Sequence, residues 1–80
     1  MERECVLEKI QELINENEPE SKIDEETNLN SLSVSCCISV LSELVDFYEI
    51  YIPKDEIKKR ELFKVSNLID FILEKKSEQE

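Results

Sequence analysis

The chain has 80 residues, 40% hydrophobic and 38% charged, and its twenty Asp and Glu against ten Lys and Arg give a formal charge of −10. A chain this short builds one small core, burying only about 60% of its unfolded surface. No apolar run approaches the roughly 18 residues of a bilayer crossing, and the negative charge repels phosphate backbones and anionic lipid, so neither a nucleic-acid nor a membrane partner is expected.

His is absent, so no Ser-His or Cys-His nucleophile pair can form within the chain. Gly is absent too, which excludes the Gly-rich phosphate loops of Rossmann and P-loop proteins. Cys5, Cys36 and Cys37 are odd in number with two adjacent, neither a disulfide framework nor a spaced metal pair. Reduced thiols and a cytoplasmic location are expected, and the opening Met-Glu-Arg-Glu-Cys lacks the features of a signal peptide.

Val6, Ile10, Leu13 and Ile14, with Leu7 beside them, predict a first helix over 2–15. Pro19 and the Asn residues around it break that period and begin a long loop, pinned by Ile23, Leu29 and Leu32. From Ser35 the period resumes as Ile38, Leu41, Leu44 or Val45, and Tyr48, predicting a second helix that ends near Glu49. Ile50-Tyr51-Ile52 alternates like a strand, but Pro53 follows at once and nothing pairs with it, so it reads as a loop that plugs the core. A short third helix is predicted from Lys54 to about Arg60, starting on Pro53. Val65, Leu68, Ile69 and Ile72, flanked by Phe71 and Leu73, predict a fourth helix with Lys75 and Lys76 at its C-terminal end. The whole reads as an all-α single domain over 1–76 with a polar tail, 77–80. Its expected core is Val6, Ile10, Ile14, Ile38, Leu41, Leu44, Tyr48, Ile52, Val65, Leu68, Ile69 and Ile72.

Three segments carry a resemblance that covers nearly the whole chain. Tyr48-Glu49-Ile50-Tyr51-Ile52-Pro53 is similar to an aromatic-x-I-x-I-P segment, Leu62 to Ile69 to an F-x-T-V-x-x-L-I entry into a last helix, and Ile23 to Leu32 to the stretch before an L-G-x-D-S motif. Together with three longer helices, one short helix and a long first loop, these resemble the acyl carrier and peptidyl carrier proteins. The resemblance implies a four-helix acyl-carrier-like bundle that is not an enzyme. In that family a serine at the start of helix two receives 4′-phosphopantetheine from coenzyme A, and the arm's thiol carries acyl or aminoacyl thioesters for fatty acid, polyketide or nonribosomal peptide biosynthesis. The implied partners are a phosphopantetheinyl transferase and the loading and processing enzymes, acting on a monomer. Acidic residues of helix two, here Glu43, Asp46 and Glu49, would dock such partners.

The chain departs from the pattern at the attachment motif itself. Aligned from the loop side, Leu29 to Cys36 puts Ser35 on the family's aspartate and Cys36 on its serine, and a cysteine is not a normal acceptor. Counted back from Pro53, the family's spacing lands on Val34. Ser35 is one residue from both anchors and ranks first. Ser31, in Asn30-Ser31-Leu32, ranks second, and Ser33 third. These serines also suit plain loop and helix-capping roles. A second reading is a carrier fold without the prosthetic group, working as a protein-binding module; the missing Asp-Ser pair and the sparse acids of helix two favour it.

Four further features have ordinary structural readings. Cys36-Cys37 at a helix start suits a reactive dithiol, but free Cys packs as a small hydrophobe and Cys37 lies near the helix-two stripe. The oxygen-rich stretch Asp24 to Asn30 lacks the glycine and spacing of an EF-hand, so no metal site is expected there. Lys58-Lys59-Arg60 is framed by Glu56 and Glu61, which it balances, and Tyr51 is expected to be exposed.

Overall fold

The computed structural model describes residues 2–32 and 34–79. Among the described residues four α-helices run in chain order: α1 (Arg3–Asn17), α2 (Val34–Tyr48), α3 (Lys54–Lys59) and α4 (Val65–Gln79), with one 3-10 turn at Leu29–Ser31. The protein is all-α, as the periodicity predicts; α4 takes in Ser77 to Gln79, residues assigned from sequence to a tail. Its radius of gyration, 11.6 Å, matches the value of about 12 Å for a globule of this length, so the helices close on one core.

α1 is the central element, packed against both α2 and α4. It buries Val6, Ile10, Leu13 and Ile14, and α4 answers with Val65, Leu68, Ile69, Phe71 and Ile72. Full burial of such side chains contributes about 1.5–3 kcal/mol each. Arg3 fastens the start of α1 to both the loop and α4 through Glu25 and Asp70.

α2 meets this layer with Cys36, Cys37, Val40, Leu41, Leu44 and Tyr48. Two core expectations need correcting here. Ile38 is 62% exposed. The buried residues 36, 37, 40, 41, 44 and 48 form a stripe that begins on Cys36 and Cys37, and the residue after Cys37, about 100° further around the helix, points away from it. Ile52 is only partly buried, and Ile50 fills the core in its place. The cause is how α2 ends: Glu49 adopts a left-handed conformation with φ 53°, and the Ile50 N–H bonds back to the Val45 carbonyl at 3.2 Å. That geometry tucks the next apolar residue under the helix end.

α3 closes the same way. Pro53 is its N-cap, one position ahead of the expected start. Glu61 takes φ 50°, the Leu62 N–H reaches the Ile57 carbonyl at 3.0 Å, and Leu62 is fully buried. With no glycine available, glutamates hold both left-handed positions.

The long loop is stitched down on two sides. Gln11 accepts from the Ile23 N–H at 2.7 Å and donates to the Ser21 carbonyl at 2.8 Å. On the other side the Leu29 N–H bonds to the Phe63 carbonyl at 2.6 Å, and the carbonyls of Thr27 and Glu25 accept from Val65 and Ser66 N–H at 3.0 Å. The loop thereby satisfies the free N–H groups at the start of α4, and Leu29 is buried as expected.

Candidate functional site

The start of α2 separates the candidate attachment residues. Ser31 is exposed, but its hydroxyl is spent within the 3-10 turn, donating to the Asn28 carbonyl at 2.8 Å. Asn28 tightens the same turn by accepting from the Asn30 N–H at 2.8 Å. Ser33 lies outside the described residues. Ser35 is exposed on the first turn of α2. Cys36, the loop-side alignment position, is 2% exposed and faces the core. Burial pushes its thiol pKa up, and Glu18, at the C-terminal cap of α1, raises it further. Cys37, 4% exposed, is also raised by burial and then by Cys36. Neither thiol has the depressed pKa and access of a reactive cysteine; Cys5 is the exposed one.

α2 begins at Val34, the position counted back from Pro53, so Ser35 is the second helical residue. Its turn carries no acidic residue of its own, unlike the first turns of α1 and α3, which hold Glu4 and Asp55 with Glu56. The positive end of the helix dipole therefore has no acid from the first turn of α2 to offset it. One turn on, exposed Ile38 forms the lip of an apolar cleft of about 320 Å³, lined by Leu29, Asn30, Leu32, Cys37, Ile38 and Phe63. Sequence reasoning missed this cleft, because its walls come from three separate segments.

The three acids of the expected docking face line two different clefts. Glu43 and Asp46 line a groove with Lys9, Leu13 and Phe47. Glu49 belongs to a different cleft with Ile50, Tyr51, Pro53, Glu56, Lys75 and Glu78. Tyr51, at its mouth, is 75% exposed. Arg60 of the basic cluster is held by Glu56 at 2.7 Å and Glu74 at 2.6 Å, and these partners raise its pKa, Glu74 most.

In the acidic loop Asp24 Oδ1 accepts from the Glu26 N–H at 2.9 Å and the Thr27 hydroxyl at 3.1 Å. Asp24 thus serves a turn. Among the described residues no three His, Cys, Asp or Glu side chains converge to hold a metal ion, and no helix is long and apolar enough to cross a membrane. Comparison of the chain with family models, with curated proteins and with solved structures finds no match.

Proposed function

We propose that the chain is a carrier domain that bears 4′-phosphopantetheine on Ser35. The observation that carries this reading is an exposed hydroxyl on the first turn of α2, beside an apolar cleft and on a turn without acids. The order of three long helices, a short α3 and a long first loop supports it. A phosphodiester on Ser35 would meet the positive end of the α2 dipole. Leu29, Leu32, Ile38 and Phe63 would shelter apolar cargo, and Asn30 would offer an amide at the rim. When bound, the group supplies a thiol that holds cargo as a thioester; the protein's own residues position it and catalyse nothing.

The test is the intact mass of the chain after incubation with coenzyme A and a broad-specificity phosphopantetheinyl transferase. One phosphopantetheine is gained by the wild type, Ser31→Ala and Ser33→Ala, and none by Ser35→Ala. No gain with several transferases overturns the reading.

One observation favours a second reading, a carrier-type fold that has lost its group and binds proteins. α2 begins on Val34, so the position indicated by the spacing from Pro53 holds a residue with no hydroxyl. That reading expects no mass gain, and full activity in the cell from all three serine variants.

A further inference from the structure

The basic residues of the chain are not spread evenly. Five of the ten Lys and Arg fall within residues 54–64, against three of the twenty acids, so the stretch from α3 to the start of α4 is net positive in a chain of −10. Arg60 is engaged by Glu56 and Glu74. Lys58 and Lys64 instead line a cleft of about 380 Å³ with Asn28, Asn30 and Phe63. Among the described residues Lys58 forms no ion pair, and Lys64 has only Glu26 at 3.9 Å, a contact between exposed side chains that holds weakly. Asn28 Oδ1 is taken by the Asn30 N–H at 2.8 Å, which leaves the Asn28 NH₂ as a donor. Glu61 is the one acid on the walls.

This cleft shares Asn30 and Phe63 with the apolar cleft of Leu29, Leu32, Cys37 and Ile38. A ligand that crosses from one to the other meets hydrocarbon first, then amide donors and two ammonium groups. We infer that the two clefts together bind a small amphipathic acid, its apolar chain packed on Leu29, Ile38 and Phe63 and its carboxylate paired with Lys58 and Lys64. A neutral chain leaves the lysines unused, and a cationic one is repelled by them. The net charge of the chain selects a small ligand over an acidic protein segment, because one carboxylate meets that repulsion once and a run of acids meets it repeatedly. The inference uses the cleft beside Ser35 but needs no group on Ser35.

The experiment titrates the ¹⁵N-labelled chain, its intact mass showing no added group, with octanoate, octan-1-ol, octylammonium and acetate, each below its aggregation concentration. Octanoate shifts the amides of Leu29, Ile38 and Phe63 together with those of Lys58 and Lys64, and binds about threefold to tenfold more tightly than octan-1-ol. Octylammonium and acetate bind more weakly still. Lys58→Gln/Lys64→Gln brings octanoate down to the level of octan-1-ol. Unchanged octan-1-ol binding by the same variant shows that its fold and apolar cleft persist. Glu61→Gln tightens octanoate, and Ile38→Asp weakens octanoate and octan-1-ol alike. Equal affinity of the wild type for octanoate and octan-1-ol, unchanged octanoate binding by the double lysine variant, shifts that leave Lys58 and Lys64 unmoved, or acetate binding as tightly as octanoate overturns the inference. Selectivity for octanoate in a chain that takes no phosphopantetheine supports it and overturns the carrier reading alone.

Discussion

α1 and α4 are held by their faces, each burying a stripe of four or five side chains in the shared core. α3 has no fully buried residue and is held by its ends. Pro53 starts it, the buried Leu62 follows it, and the Asn67 side chain donates to the Glu61 carbonyl at 3.2 Å. A segment fixed by its ends opens at lower cost than one fixed by its face, because opening it exposes little apolar surface. The apolar cleft beside Ser35 reaches Phe63, in the connection that follows α3. That apolar cleft therefore adjoins the least anchored helix.

The largest test of that contrast is a pair of truncations. Phe71→Ala removes a 1% exposed ring and is expected to cost about 3–5 kcal/mol, enough to unfold much of a small domain. Ile57→Ala on α3, where the side chain is only partly buried, costs less than half of that. Urea denaturation measures both, and equal losses would erase the distinction between the two regions. Hydrogen exchange sharpens it: amides of α3 exchange about tenfold or more faster than those of Ile10, Leu68 and Ile69, which open only with the whole fold.

A smaller effect is expected at the end of α3, where Glu61→Gly relieves the left-handed backbone and stabilises the chain by about 0.5–1 kcal/mol in the same urea experiment. The gentlest test is pH. Cys36, Cys37 and Tyr48 all have pKa values raised mainly by burial, so folding favours their neutral forms. The stability this gives is complete below the ordinary thiol pKa of about 8.5 and is lost as pH climbs through the higher folded values. The urea midpoint should fall on the alkaline side, with a shallower slope in Cys36→Ala/Cys37→Ala. Alkylation at neutral pH should modify Cys5 well before the buried pair.

The helices were legible in the sequence because α1 and α4 have clean polar faces that fix the phase of their apolar stripes. α2 was harder. Ile38, Val40, Leu41, Val45 and Phe47 surround it with apolar residues, so the period allows more than one phase. Leu41, Leu44 and Tyr48 are buried as expected, but the stripe starts on Cys36 and Cys37 and leaves Ile38 outside. Ile50 was passed over for Ile52 because the left-handed turn at Glu49 has no glycine to announce it. At the candidate site, the exposure of Ser35 and the burial of Cys36 follow from that same phase and were not separable from the residue types. The pairing of Glu43 and Asp46 with α1, away from Glu49, depends on which helices touch, and no local pattern carries that information.

Lys76 on α4 donates its ammonium to the Tyr48 carbonyl at 3.1 Å, at the end of α2. α2 has no basic residue in its own last turn, so this contact supplies the positive charge that its C-terminus favours. Mechanically, it sets a fulcrum. With the Tyr48 end tied to α4 and to the buried Ile50, a tilt of α2 would pivot there, opposed at the other end by the buried Cys36 and Cys37. The fifteen-residue span from Val34 makes the Ser35 end the long arm of this lever. Small adjustments in packing near the clamp would translate into the widest excursions at the mouth of the apolar cleft.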